Sequence, residues 1–225
     1  MPKQLQFKGE KSASLASKIS ITSWYCLGVL AASWFTFSAP EGASPSGDLG
    51  RQIILLSCAV IYIIRVATTL FVFVKRKIPW WEAAWGGGLI GFVLFAFLSY
   101  GLLTPQPLGI VDAVGALLYL TGSYIGTASE YSRHVWKRHP RNQGHLYTEG
   151  LFQYSRHINY FGDLLLFGGF AALTHALWAG IVPLAMALSF VLILIPAHDA
   201  YLASRYGTGF EEYARRTKRL IPLVY

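Results

Sequence analysis

Four stretches of this sequence, Ile19 to Phe37, Ile53 to Val74, Trp80 to Leu103 and Leu108 to Ala128, are each mostly apolar and about 20 residues long. That is the helix length needed to cross a bilayer hydrocarbon core of about 30 Å. Polar or Pro/Gly-rich breaks separate them. Asn159 to Ala197 is too long for a single span, and "LTHALW" in its middle offers a break, so a helical hairpin of Asn159 to Leu173 and Leu177 to Pro196 is predicted. The composition agrees, with 54% hydrophobic and only 13% charged residues over 225 positions, which is unusual for a soluble domain. The expected fold is an all-α polytopic membrane bundle of about six transmembrane helices with a cytoplasmic C-terminal helical tail.

Basic residues collect in cytoplasmic segments of membrane proteins, and here they fall into four groups. Lys3, Lys8, Lys11 and Lys18 precede helix 1, and Lys75, Arg76 and Lys77 follow helix 2. Arg133, Lys137, Arg138, Arg141 and Arg156 lie between helices 4 and 5, and Arg205, Arg215, Arg216, Lys218 and Arg219 follow helix 6. Six helices put all four groups on one side and leave only Arg51 in the opposite loops. Both termini are therefore expected in the cytoplasm. Three parts follow: a tail over 1–18, helices 1 to 4 over 19–128, and a C-terminal module over 129–225. The net charge of +8 is explained by topology and anionic membrane lipid, with no need for nucleic acid. Cys26 and Cys58 fall inside spans without metal or disulfide spacing, and no metal site is predicted. Helix 1 lacks a small-residue cleavage site and reads as retained. The glycines of "WGGGLIG" suit close helix packing.

Ionisable groups within membrane spans are costly and usually face a protein interior or a cavity. Arg65, Glu82, Asp112, Glu130, Asp163, His198 and Asp199 are such groups. In the six-helix topology Glu82, Glu130, Asp163 and Asp199 share the cytoplasmic ends of helices 3 to 6 and can ring one cavity. Residues three or four apart share a helix face. Asn159 and Asp163, with Tyr160 beside them, form one polar face; Glu130, Arg133 and Lys137 form a second on a continuation of helix 4. Lys137, Arg141 and Arg156 are candidates for a phosphate-binding collar, against a plain reading as solvated loop charges. Arg65 suits a structural ion pair as well as catalysis, and His175 and the helix-end Trp and Tyr residues read as interfacial anchors.

Beyond composition, "GLFQYSRHINYFGDLLL" resembles the "GLxRYSRHPNYFGE" segment of the steroid 5-alpha-reductase C-terminal superfamily. "SEYSRHVWKRHPRNQGHLYTEGLF" is similar to the family's upstream "ADxQ…NPxNxG…GLW" stretch. "DAYLASRYGTGFEEYARRTKRLIPLVY" is similar to its closing acid, "YxxY" turn and "IP" ending. The resemblance covers Ala128 to Tyr225. Sterol reductases of the wider group share the "NYxGDL" form. Isoprenylcysteine carboxyl and phospholipid methyltransferases share the C-terminal architecture, with "RHPxYxG" and a paired "EE" where this chain has the single Asp199. Two departures stand out: Ile158 replaces the usual Pro, and "PAHDAY" lacks an Arg just before Asp199.

The resemblance implies an NADPH-dependent reductase of a lipid or sterol-like double bond, a small-molecule substrate reached from the membrane lipids. The alternative is an S-adenosylmethionine-dependent membrane methyltransferase, and a third reading is a non-catalytic membrane or transport component. Carried onto this sequence, the cofactor-binding residues would be Glu130, Lys137, Asn142, Arg156, His157, Asn159, Tyr160, Asp163 and Asp199. Arg156 and His157 are expected to face phosphate. Position alone offers Glu82 and Tyr119, with Tyr100, as groups that polarise the substrate or donate a proton. The topology is tested by single-cysteine labelling at Pro45, Gln106, His145 and Pro222. The first two are expected to label from outside and the last two from the cytoplasm, and external labelling at His145 would contradict it.

Overall fold

A computed structural model describes residues 14–38 and 47–225. Lys3, Lys8, Lys11 and the loop position Pro45 lie outside the described residues. Among those described there are helices and no strands. Helix α1 is Leu15–Phe37, α2 is Leu49–Thr68 and runs on through a π-helical turn at Thr69–Phe73, and α3 is Trp80–Gly101. Helix α4 is Ile110–Arg138 and α5 is Ile158–Leu173. After a 3-10 turn at Leu177–Gly180 come α6, Ile181–Ser189, a π-helical turn at Phe190–Leu194, and α7, Ile195–Tyr206. Helix α8 is Thr208–Arg216.

Five helical runs, Leu15–Phe37, Leu49–Phe73, Trp80–Gly101, Ile110–Arg138 and Leu177–Tyr206, are long and apolar enough to cross a membrane. The sixth expected span, α5, is apolar but has 16 residues, below the roughly 20 that cross a bilayer core. Trp34, Trp85 and Ile110 are among the bulky apolar side chains left more than three-quarters exposed. Such helix faces suit lipid rather than water, and the chain reads as a multi-pass integral membrane protein. Helix α4 outruns its apolar segment because "EYSRHVWKR" contains no Gly or Pro, and the helix continues until Pro140 approaches. The hairpin break falls at "LTHALW", where His175 takes a positive φ of 57°.

The chain divides into two compact units. One comprises the described residues up to Tyr119 with Phe167–Val182, and the other Leu120–Leu166 with Pro183–Tyr225. In the first, Gly87 and Gly91 let α3 approach α1. A Cβ at Gly91 would meet the Trp24 carbonyl oxygen at 2.6 Å, and one at Gly87 would meet the Ile21 Cα at 3.2 Å. Leu55, Ala59, Leu94, Phe97, Tyr119 and Phe170 form its buried centre. Arg51, which the sequence places among loop charges, is fully buried in the first turn of α2. Its Nε donates to Asp112 Oδ1 at 2.8 Å and its Nη2 to Oδ2 at 3.0 Å, while Nη1 donates to the Gln106 carbonyl at 2.6 Å. His175 Nε2 lies 3.0 Å from Asp112 Oδ1, so His175 belongs to this buried network rather than serving only as an interfacial anchor. The charges face inward because each finds a partner there; a buried charge without one would be far costlier.

In the second unit, Gly122 and Gly126 of α4 meet Gly162 of α5. A Cβ at Gly162 would lie 2.8 Å from the Gly126 nitrogen, so the backbones touch as small residues allow between membrane helices. Tyr147, Phe152 and Ile158 form one apolar cluster, and Phe190, Ile195 and Leu220 another. Pro196 has no N–H to give, and the wider π turn at Phe190–Leu194 comes just before it. Replacing Asp112 by Ala should leave Arg51 buried and unpaired. The expected cost is about 3–5 kcal/mol, read as a lower melting temperature in detergent; an unchanged melting temperature would show that the pair is not sealed from water.

Candidate functional site

The segment Ser155–His157 enters α5 strapped to the chain that follows α8. Arg156 N donates to the Lys218 carbonyl at 2.8 Å and His157 N to the Arg219 carbonyl at 3.0 Å. Ser155 Oγ reaches the Leu220 carbonyl at 2.8 Å. These bonds occupy backbone groups that helix starts leave unpaired. The Tyr213 hydroxyl donates to the Phe152 carbonyl at 2.6 Å, and burial pushes that phenol well above its ordinary range, keeping it a donor. The strap is thereby fixed against the start of α5.

On this frame Asp199 of α7 takes two partners from α5. Arg156 Nη2 donates to its Oδ2 at 2.9 Å, and His157 Nε2 lies 2.9 Å from its Oδ1. Arg156 Nη1 donates to the Ala214 and Thr217 carbonyls, both at 2.8 Å, and the guanidinium sits 5.9 Å from the Phe210 ring centre. Tyr160 stacks between His157 and Phe190, with ring centroids 5.4 and 4.6 Å away. His198 brings a second imidazole to within 5.4 Å of His157.

The second polar face lies on α4. Glu130 pairs with Arg133 one turn along and accepts a hydrogen bond from Asn159 Nδ2 at 3.2 Å. The close contact at Gly162 allows this, because a wider helix separation would carry the amide out of reach of the carboxylate. Arg133 also packs 5.6 Å from the Phe152 ring centre. Lys137 is exposed near the end of α4, within electrostatic reach of Arg133, Arg205 and Glu130. His198 lies within electrostatic reach of Arg133, Lys137 and Asp199, and Tyr160 within that of Asp163 and Glu130. Carboxylates, cations, an amide and flat rings therefore meet in one region. That set can hold a ligand carrying phosphate, hydroxyl groups and a planar base.

The structure therefore brings together Glu130, Lys137, His157, Asn159, Tyr160, Asp163 and Asp199. Arg156 also lies here, but its direction differs from expectation. It is 8% exposed and its terminal nitrogens serve Asp199 and the strap carbonyls, so it fixes the site's wall rather than presenting charge to a phosphate. His157, 1% exposed and bound to Asp199, is turned inward with it. Asn142 stands apart: its Nδ2 donates to the Trp136 carbonyl at 2.9 Å and closes the end of α4. Glu82 and Tyr119 belong to the other unit. Glu82 is taken up by Arg76, 2.7 Å from its Nη1, and this contact raises the pKa of the guanidinium. The fully buried Tyr119 donates to the Cys58 carbonyl at 2.6 Å, which commits its proton to a structural bond. Tyr100 packs against Trp178 at 5.7 Å. Arg133 and His198 join the cluster; the sequence placed Arg133 on the second polar face and His198 among the ionisable groups of the spans, but named neither as a cofactor contact. Arg133 was visible as one of the i, i+3 stripe with Glu130, and His198 as the neighbour of Asp199.

Arg156→Gln should leave Asp199 with His157 as its partner and the Ala214 and Thr217 carbonyls without their donor, lowering ligand-free stability by on the order of 1.5–3 kcal/mol for a charged hydrogen bond. Thermal melting in detergent checks this, and an unaltered melting temperature would mean that the side chain faces outward after all.

The family described as "Protein of unknown function (DUF1295)" matches residues 88–217, more than half of the chain. A Delta(14)-sterol reductase of Mus musculus is 26% identical over 200 residues, which cover 78% of this chain and 46% of that protein. A probable protein-S-isoprenylcysteine O-methyltransferase of Oryza sativa is 27% identical over 149 residues, 60% of this chain and 74% of that protein. A Delta(14)-sterol reductase of Arabidopsis thaliana is 28% identical over 129 residues, 50% of this chain and 34% of that protein. The chain thus spans about half the length of the mouse reductase and less of the plant one. With sterol reductases and isoprenylcysteine methyltransferases as its relatives, and with the sequence motifs around α5 to α8 that resemble the steroid 5-alpha-reductase C-terminal superfamily, the chain belongs to the DUF1295 family.

Proposed function

We propose that this chain is an integral membrane enzyme that reduces a carbon–carbon double bond of a lipid or sterol-like substrate with NADPH. The observation that carries the reading is the Glu130–Asn159 hydrogen bond, which joins two polar helix faces beside Arg133 and Lys137. On donor chemistry the cluster fits a phosphorylated dinucleotide. Lys137 and Arg133 are the cations for its phosphates. Glu130 and Asp163 are acceptors for ribose hydroxyls, and Asn159 offers an amide. Tyr160, its ring held between His157 and Phe190, offers its hydroxyl at the edge of the stack.

Bound there, NADPH would supply a hydride to one carbon of a polarised double bond. The protein's part is to hold that cofactor, shield the site from water and provide a proton for the other carbon. Asp199 keeps Arg156 and His157 in place and so orients Tyr160 through its stack on His157. The sterol reductase of Mus musculus supports this reading by matching 78% of the chain.

A second reading, an S-adenosylmethionine-dependent methyltransferase, is favoured by the match to 74% of the Oryza sativa enzyme. Its cofactor would use the same acidic groups for ribose and amine, with less call on Lys137.

Thermal shift of the detergent-purified protein with NADPH, NADH and S-adenosylmethionine separates the two, since ligands of the folded state stabilise it by mass action. Saturable stabilisation by NADPH is expected. Asp163→Asn and Asn159→Ala should fold normally yet weaken binding at least tenfold, equivalent to about 1.4 kcal/mol. A helix-start role alone would be worth only about 0.3–1 kcal/mol for the carboxylate. Stabilisation by S-adenosylmethionine alone would replace the reductase reading with the methyltransferase one, and full retention of the shift in both variants would make "NYFGD" scaffold.

A further inference from the structure

Just beyond the last apolar helical run, the chain forms a groove of about 630 Å³ between α8 and the strap. Arg215, Arg216, Lys218 and Arg219 line it together with Phe210 and Tyr225, and Glu211 is the acidic residue on its wall. All four cations are exposed. Cations in the last turn of α8 complement the carbonyl end of the helix, which accounts for Arg215 and Arg216 taken alone. It does not account for Lys218 and Arg219, which continue the charge past the helix. Nor does it account for their apolar neighbours. Ile221 is 41% exposed, Val224 70% and Leu223 80%. Leu223 also takes a φ of 65°, a left-handed conformation costly for a branched side chain.

This surface is held rather than loose. Leu220 is buried against Phe190 and Ile195, the carbonyls of Lys218 and Arg219 accept from Arg156 and His157, and the Leu220 N–H donates to the Tyr225 carbonyl at 2.6 Å. The turn at 221–224 therefore projects its apolar side chains beside a fixed row of cations. Water rewards neither the exposed leucine nor the crowding of like charges. A lipid–water interface rewards both, because anionic headgroups attract juxtamembrane basic clusters and apolar side chains enter the acyl boundary.

We propose that this groove is a docking site for the phosphodiester headgroup of an anionic phospholipid, with Arg215, Arg216 and Lys218 on the phosphate and Leu223 and Val224 in the acyl region. Arg156 lines both this groove and the wall of the Glu130–Asn159 site, but Arg215, Arg216 and Lys218 belong to the groove alone, and lipid docking there does not depend on which cofactor the cluster takes. The test uses the full chain in detergent with added phosphatidylglycerol, phosphatidylcholine or inorganic pyrophosphate, read by thermal shift and by lipid retention in native mass spectrometry. Phosphatidylglycerol should stabilise and be retained preferentially, with the preference weakening as salt rises. A triple variant, Arg215→Gln, Arg216→Gln and Lys218→Gln, should lose at least half of that preference while melting normally in phosphatidylcholine. Leu223→Ser with Val224→Ser should reduce retention without abolishing the charge preference. Equal stabilisation by the two lipids, an unreduced preference in the triple variant, or a pyrophosphate effect as large as that of phosphatidylglycerol would overturn the proposal. The last result would assign the groove to a soluble phosphate ligand. The NADPH shift of the triple variant should match that of the unaltered protein, so failure here and failure of the reductase reading are told apart.

Discussion

The Asp199 carboxylate is the acceptor around which the C-terminal unit is arranged. A half-buried carboxylate at the end of an apolar helical run is costly to leave unpaired, and the partners it obtains come from a different helix. Arg156 and His157 both reach it from the start of α5. Arg156 then uses its remaining terminal nitrogen on carbonyls of α8 and the strap, so one charge pair ties together α5, α7 and the chain beyond α8. The stacked rings of His157, Tyr160 and Phe190 follow from it. Buried ion pairs are weak sources of net stability, but breaking one by removing a single partner is severe. Such pairs fix geometry, and here they fix the wall beside which Glu130, Asn159 and Lys137 gather.

Much of the fold was legible because the bilayer imposes a length. The first three helical runs begin or end within a few residues of the apolar stretches, and "LTHALW" marks the turn between α5 and α6 as expected. Helix α4 extends ten residues past its apolar segment, and this too was legible in the i, i+3, i+7 spacing of Glu130, Arg133 and Lys137. The close contact of Gly162 with Gly126 was not. Nothing local in "NYFGD" says that its glycine meets another 36 positions earlier.

The directions of charged side chains were the least legible. A rule that assigns Lys and Arg to solvated loops cannot tell Lys137, which is exposed, from Arg156, which is buried and spent on internal acceptors. Arg51 shows the same limit: its partner Asp112 lies 61 positions away, and only the folded chain brings them together. Tyr119 and Glu82 were offered by position alone, yet each is committed to a neighbour that position does not reveal, the Cys58 carbonyl and Arg76 respectively. The acid–amide contact of Glu130 with Asn159 was foreseen only as two separate faces. Side-chain pairing at long sequence distance is a property of packing, and periodicity carries no record of it.

NADPH and S-adenosylmethionine share an adenosine, so the location of that group tests the site itself apart from the reaction. The direct measurement is photo-crosslinking of the full-length protein with an azidoadenine analogue of NADP, competed separately by NADPH and by S-adenosylmethionine, with the labelled peptides mapped by mass spectrometry. Competable label is predicted on peptides containing residues 130–137, 157–163 or 198–205. Competable label confined to residues 80–119 would contradict the account and move the cofactor away from the polar faces that Asp199 organises.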